Sequence, residues 1–236
     1  MIELAVLDIA GTTVEEHGAV YVALEQAVRA AGGAPDAAAI HAWMGAGKRE
    51  AITALLTGEP GEFGESGESG NPTPAPETVD GAFADFRKRL HAAYADTPPA
   101  PLPGVPEAIT ALRAAGVKVA LTTGFDREVT GALLGAIGWD DGFLDAVVCI
   151  DDVRAGRPAP YMIFRAMEET GVHDVGRVLV AGDTVRDLRA GTNAGAAIVA
   201  GVLTGGQDAA ALGAVRHTHL LPGVAAIPAL LGLGRR

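Results

Sequence analysis

The sequence is poor in several features that mark common classes of protein. Its 236 residues include one cysteine and only 5% aromatic residues, and 18 basic residues face 29 acidic ones. One cysteine excludes an internal disulfide, and a net charge of −11 leaves no basic footprint for nucleic acid or an anionic membrane. The first residues show a strand pattern and no basic n-region, and no uncharged apolar run reaches the ~18 residues that a membrane span needs. We therefore expect a cytoplasmic protein that binds neither nucleic acid nor membrane.

The opening segment of the chain is the first candidate for chemistry. An apolar run at residues 4–7 is followed by Asp8 and then by Gly11, Thr12 and Thr13. This pattern predicts a buried strand that ends in a loop. Open α/β sheets bind ligands at the carboxyl ends of their strands, and a glycine lets backbone amides approach a phosphate. Asp8 is thus a candidate nucleophile. The alternative, that Asp8 or Thr12 only caps the next helix, stays open here.

The second half of the chain alternates helices and strands. Apolar periodicity predicts helices at 105–115, 126–137, 160–171, 186–194 and about 223–231, and strands at 117–122, 145–150, 177–182 and 196–202. Such alternation predicts a parallel sheet with helices on both faces. The fold class is therefore α/β, with a Rossmann-like parallel sheet core formed by residues 1–14 and 99–236.

The segment between the first strand and the rest of this sheet is all-helical. Helices are predicted at 19–31, 36–44, from 48 to 56 and at 78–94, and no strand lies between them. Residues 58–77 are rich in Gly, Glu, Ser and Pro and predict a flexible acidic insertion. Prolines at 97–104 indicate a stiff linker. We expect residues 15–98 to form an inserted helical cap domain.

Polar side chains follow three further strands of the predicted sheet. We expect them to lie at the carboxyl edge that Asp8 also occupies; they are Thr122, Thr123, Arg157, Asp183 and Asp187, with Gly124 directly after the two threonines. Asp8 and Asp183 can supply hard oxygen ligands to Mg²⁺, with Asp187 in or near the second shell. Thr122, Arg157 and amides near Gly11 and Gly124 can bind phosphoryl oxygens. The set predicts attack of Asp8 on phosphorus and an aspartyl-phosphate.

These residues, in this order, resemble the haloacid dehalogenase superfamily. The matching motifs are Asp8-Ile9-Ala10-Gly11-Thr12, Thr122-Thr123-Gly124, Arg157 and Gly182-Asp183-Thr184-Val185-Arg186-Asp187. The resemblance implies a catalytic set of Asp8, Lys48, Thr122 and Arg157. It implies Mg²⁺ at Asp8, Ala10, Asp183 and Asp187, and phosphate binding at Gly11, Thr12, Thr123 and Gly124.

Within the superfamily the sequence is similar to the phosphonoacetaldehyde hydrolase branch. Ala10 stands where most members have an aspartate, residues 151–158 resemble that branch's third motif with arginine in place of lysine, and residues 44–48 resemble the segment whose lysine forms a Schiff base with an aldehyde. Without a carboxylate at position 10, no acid is positioned to protonate an alkoxide leaving group. An iminium on Lys48 would activate the leaving group instead. A helix start should lower the pKa of Lys48, and the alternative is an ordinary solvated lysine.

Two departures from the branch bear on the aldehyde half of this mechanism. Ala51 replaces a histidine that follows the cap lysine, and Phe125 replaces a tyrosine after the second motif. His17 could substitute for the missing histidine or be a solvated hinge residue.

Three functions therefore stay open: hydrolysis of a small phosphonate such as phosphonoacetaldehyde, hydrolysis of a small sugar or glycol phosphate ester, and a non-catalytic phosphate-binding module. A homodimer is also left open.

Overall fold

The computed structural model describes residues 1–59, 72–139 and 142–233. Its strands are β1 Leu4–Asp8, β2 Val14–Glu15, β3 Ala100–Pro101, β4 Lys118–Thr122, β5 Ala146–Val148, β6 Val178–Gly182, β7 Ile198–Val202 and β8 His219–Leu221. Its α-helices are α1 Ala19–Ala30, α2 Ala37–Ala42, α3 Lys48–Thr57, α4 Pro76–Asp96, α5 Val105–Ala114, α6 Arg127–Ala136, α7 Tyr161–Thr170, α8 Val185–Ala194, α9 Ala209–Gly213 and α10 Ile227–Leu230. None of the helices in these described residues is both long and apolar enough to cross a lipid bilayer.

The chain divides into two compact units, Met1–Glu15 with Pro99–Arg236, and Glu16–Pro98. The first unit contains a six-stranded parallel sheet in the order β5-β4-β1-β6-β7-β8. Helix α7 packs on β1, β4 and β5, and α8 packs on β6 and β7. The predicted α/β fold class is confirmed.

The strand order reverses at β1, which lies between β4 and β6. All five residues of β1 are buried, as expected for a central strand covered on both faces. The parallel register sets Asp8 opposite Thr122, and Asp183 follows the last residue of β6. The reversal therefore brings three strand ends together at the point where open α/β sheets bind ligands.

Several predicted boundaries were wrong. The strand predicted at 145–150 ends at Val148, because the amide of Cys149 donates to Asp152 Oδ2 at 2.7 Å and a 3₁₀ turn begins at Ile150. The last strand, β8, and the short helix α9 were not predicted. The stretch predicted as a stiff linker contains β3, which pairs with β2 in an antiparallel ladder.

The second unit, considered by itself, packs α1, α3 and α4 against one another. Its interior is apolar and includes Leu24, Ile52, Phe86 and Leu90. Helix α4 begins at Pro76, two residues earlier than predicted, because proline is well suited to a first helical position. Most of the predicted acidic insertion falls on residues 60–71, which lie outside the described residues.

Candidate active site

Asp8 and Arg157 form a buried ion pair at the end of β1. Asp8 is 7% exposed and Arg157 is 4% exposed, and Arg157 Nη2 lies 2.7 Å from Asp8 Oδ1. Burial raises the pKa of Asp8 to about 6, although Arg157 and the amide of Ile9 oppose the shift. The guanidinium therefore favours the ionised carboxylate, which is the form that can attack an electrophile.

Arg157 also reaches a second carboxylate. Its Nη1 donates to Asp187 Oδ1, and its Nη2 lies 3.4 Å from the carbonyl oxygen of Thr122. Burial acts to lower the pKa of Arg157, but the carboxylates of Asp187 and Asp8 outweigh it and raise the pKa. A guanidinium presents its donors as a rigid fork, which lets one cation serve two carboxylates at once.

Helix α8 holds Arg157 through its backbone as well. Arg186 Nη1 donates to the carbonyl of Arg157 at 3.1 Å, and Asn193 Nδ2 donates to the carbonyl of Pro158 at 2.8 Å. Sequence reasoning gave Arg186 no role, although it stands in the fourth motif, and did not single out Asn193, because nothing in their type or spacing distinguishes them from other polar residues of a helix. They fix the segment that carries the cation.

Asp187 is oriented from two sides. Its Oδ2 accepts hydrogen bonds from the Thr184 amide at 3.1 Å and from the Thr184 hydroxyl at 2.6 Å, which is a capping box at the start of α8. Its Oδ1 accepts from Arg157. Both oxygens of Asp187 are thus engaged, one by Thr184 and the other by Arg157.

Asp183 is 3% exposed and both of its oxygens accept hydrogen bonds from neutral donors. Thr12 Oγ1 donates to Oδ1 at 3.0 Å, and the amide of Gly206 donates to Oδ2 at 2.9 Å. Burial raises the pKa of Asp183 to about 8, and repulsion from Asp8 and Asp187 adds to the shift. Within the described ranges no basic side chain pairs with Asp183.

The loop after Asp8 satisfies most of its own backbone groups. Gly11 adopts φ +78° and donates its amide to Val14 O at 2.9 Å, and Val14 donates to Ile9 O at 2.9 Å. These two bonds form a bridge around Ala10 that uses neither the amide nor the carbonyl of Ala10. The Ala10 peptide groups are therefore the ones that this bridge leaves for a ligand.

The three residues at the end of β4 differ in their surroundings. Thr122 is 5% exposed and Gly124 is also buried. Thr123 donates its amide to Val148 O at 3.1 Å, and its hydroxyl accepts from the Phe125 amide at 3.1 Å. These bonds tie Thr123 to β5 and to the turn after β4, and its role in binding phosphate stays a prediction.

The site fits a hard divalent cation. Asp8 and Asp183 are both buried, and Asp183 meets only neutral donors among the described residues. In the described part of the chain, no three Asp, Glu, His or Cys side chains are arranged to hold a metal by themselves. Mg²⁺ does not need such a cage, because it keeps several waters and takes one or two carboxylates plus substrate oxygens. Ala10 has no side-chain donor, so only its carbonyl could join the two carboxylates.

Lys48 lies in the second unit, as the first residue of α3 after Gly47. It is 5% exposed, so the alternative of an ordinary solvated lysine is wrong. Its Nζ donates to the carbonyl of Ala46 at 3.0 Å and lies 6.0 Å from the centroid of the Tyr21 ring. Ala51, one turn later, is fully buried.

Comparison with known proteins gives a family model and several similar proteins. The family model described as haloacid dehalogenase-like hydrolase matches residues 2–195. A curated phosphonoacetaldehyde hydrolase from Parabacteroides distasonis is 35% identical over 130 residues, which are 55% of this chain and 48% of that protein. The chain therefore spans about half the length of the curated relatives it matches.

Solved structures share the fold over nearly the whole chain. A hydrolase from Pseudomonas syringae has a TM-score of 0.83 at 20% identity, with 99% of this chain and all of that chain covered. A phosphonoacetaldehyde hydrolase like protein from Oleispira antarctica has a TM-score of 0.78 at 21% identity, with 98% and 91% covered. At these identities the likeness concerns the fold alone.

Proposed function

Because the chain belongs to the haloacid dehalogenase-like hydrolase family, we propose that it hydrolyses a small phosphonate of the phosphonoacetaldehyde type by attack of Asp8 on phosphorus. The family assignment supports hydrolysis, and the curated relatives support the substrate class. The observation that carries the choice of a phosphonate is Ala10, which leaves the loop after Asp8 without a carboxylate to protonate an alkoxide.

In the first half of the proposed reaction, Asp8 forms a bond to phosphorus as the bond to the leaving group breaks, giving an aspartyl-phosphate. Arg157 keeps Asp8 ionised, and the Thr122 hydroxyl and the amides of Ala10 and Gly124 donate to phosphoryl oxygens. Asp8, Asp183 and the Ala10 carbonyl would hold Mg²⁺, which when bound neutralises charge between the nucleophile and the phosphoryl oxygens. Asp187 orients Arg157. Water then cleaves the acyl phosphate and releases phosphate.

The leaving group is activated by Lys48 in this proposal. Its neutral amine condenses with the aldehyde, losing water and forming an iminium, and the electron pair of the breaking carbon–phosphorus bond moves into an enamine. Protonation of the enamine carbon and hydrolysis return the lysine and release acetaldehyde. We propose that residues 15–98 serve as the cap domain, which supplies this lysine.

An activity screen tests the proposal. Purified protein is incubated with phosphonoacetaldehyde and with a panel of sugar and glycol phosphates, in Mg²⁺ and in chelator, and released phosphate is measured beside an Asp8→Asn control. We expect Mg²⁺-dependent release from the phosphonate that the control lacks. Turnover of the esters alone would replace the phosphonatase by a phosphomonoesterase. Phosphorylation of Asp8 without turnover of any compound would indicate a binding module.

A further inference from the structure

The chain turns back on the site after β7, in a segment that none of the recognised motifs contains. We call residues 204–207 the β7 turn; they are Thr204, Gly205, Gly206 and Gln207. The turn makes three hydrogen bonds to groups of the site. Thr204 Oγ1 donates to the Gly11 carbonyl at 2.7 Å, the Gly206 amide donates to Asp183 Oδ2 at 2.9 Å, and Gln207 Oε1 accepts from the Val185 amide at 2.7 Å.

The backbone of the β7 turn packs directly on the Asp183 carboxylate. A Cβ atom added to Gly205 would lie 1.9 Å from Asp183 Oδ2 and 2.5 Å from Asp183 Cβ. A Cβ atom on Gly11 would lie 2.7 Å from the same oxygen and 2.9 Å from the Gly205 Cα. Both glycines are therefore required because no side chain fits between this loop, this turn and the carboxylate.

Gln207 fixes the helix that follows Asp183. Its side chain is buried, at 4% exposure, and its Oε1 accepts from the first residue of α8. The first amides of a helix have no partner within the helix, so this bond satisfies a buried donor. Helix α8 carries Asp187, and its start is thereby held beside the end of β6.

We infer that the β7 turn is a positioning element for Asp183, and that Gln207 is a positioning residue within it. Like charge on Asp8 and Asp187 pushes the Asp183 carboxylate away from the site. The Gly206 amide and the Thr12 hydroxyl hold it from opposite oxygens, and Gly205 closes the space into which it could rotate. The inference rests on the proposed function, in which Asp183 is a ligand of Mg²⁺.

Two glycine substitutions test the inference. Gly205→Ala places a methyl group against Asp183, whereas Gly213→Ala in α9 meets no atom within 4 Å. Mg²⁺ binding to the full-length protein is measured by titration calorimetry, without substrate. Partners that orient a metal ligand are worth about 10- to 100-fold in affinity. We expect Gly205→Ala to weaken binding at least about tenfold, and Gly213→Ala to stay within about twofold of the wild type.

A second pair of variants keeps the test decisive if Gly205→Ala does not fold. Gln207→Met removes the acceptor for the Val185 amide, and Gln207→Glu keeps one. We expect the first to weaken Mg²⁺ binding about threefold or more and the second to restore it, with no change in the KM for the phosphonate. Unchanged Mg²⁺ affinity in folded Gly205→Ala, or in Gln207→Met when Gly205→Ala does not fold, would overturn the inference.

An Asp183→Asn variant separates this failure from that of the proposed function. If Asp183→Asn weakens Mg²⁺ binding while the turn variants do not, the metal assignment stands and the positioning role is lost. If Asp183→Asn binds Mg²⁺ as well as the wild type does, the metal assignment fails and the inference fails with it.

Discussion

Arg157 Nη2 lies 2.7 Å from Asp8 Oδ1, while Nη1 of the same guanidinium donates to Asp187. One buried cation therefore links the end of β1 to the start of α8, and it lies at the junction of β1 with β4. A substitution at Arg157 should therefore lower both the rate of the proposed reaction and the stability of the first unit.

Replacing Arg157 by methionine should leave Asp8 and Asp187 buried without their shared cation. Removing one partner of a buried ion pair costs about 3–5 kcal/mol, so we expect the free energy of unfolding to fall by about that amount, as measured in urea at neutral pH. Arg157→Lys keeps the positive charge but lacks the forked geometry of a guanidinium. We expect this variant to lose less stability than Arg157→Met and still to hydrolyse its substrate markedly more slowly than the wild type. The exposed Arg154 provides a matched control; equal losses in Arg154→Met would contradict the linking role of Arg157.

Asp8→Asn should abolish turnover without unfolding the protein. A neutral amide is not a competent nucleophile. The substitution weakens the contact with Arg157, but Arg157 keeps its ion pair with Asp187 and the repulsion between Asp8 and Asp183 is removed, so the metal-free protein should stay folded. Released phosphate gives the first quantity and circular dichroism the second. A kcat close to that of the wild type would exclude Asp8 as the nucleophile.

The strand ends of the site were predictable from the sequence because each one follows a short buried apolar run. Residues 4–7, 119–121 and 178–182 are buried and carry no polar side chain, and the polar residue that follows each run, Asp8, Thr122 or Asp183, is the one at the site. Parallel pairing then brings those residues to one edge. The confirmed fold class and family resemblance both rest on this pattern.

The rest of the site could not be predicted, because its contacts pass through backbone groups. The Gly206 amide and the peptide groups of Ala10 carry no signal in residue type. The bonds of Thr123 to β5 and to the Phe125 amide carry none either. Short elements such as β8 fail for another reason: three residues are too few to show a period.

Metal-free protein should lose stability as the pH rises, through Asp183. The pKa of Asp183 is raised from its ordinary 3.8 to about 8 by burial and by its acidic neighbours, so between these values the folded state holds a proton that the unfolded state has released. Stabilisation that is complete below about pH 4 is therefore lost progressively as the pH passes through about 8. Asp183→Asn has no such proton, so the melting temperature of the variant relative to that of the wild type should increase as the pH rises.

The measurement is the melting temperature in chelator at a series of pH values from 5 to 9. In a chain of this size, a change of 1 kcal/mol in stability shifts the melting temperature by about 2–4 °C. Saturating Mg²⁺ should flatten the wild-type profile, because a bound cation replaces the proton. Parallel profiles for wild type and Asp183→Asn would show that Asp183 does not carry the linkage.

The aldehyde half of the proposed reaction depends on Lys48, which is buried at the first position of α3. If Lys48 forms an iminium, borohydride added with phosphonoacetaldehyde should leave a reduced adduct on that residue, detectable by mass spectrometry of its peptide. Lys48→Arg should then lose carbon–phosphorus cleavage almost completely, because a guanidinium cannot form the imine although it keeps the charge. The same variant should still be phosphorylated on Asp8 by an acyl phosphate, whose leaving group needs no activation.

The control substitutes Arg49, the exposed neighbour of Lys48. The Arg49→Lys variant should react as the wild type does. If Lys48 only attracts the phosphoryl group, the arginine variant should keep much of its activity and no adduct should form; that result, with robust hydrolysis of esters by the wild type, would assign the protein as a phosphomonoesterase.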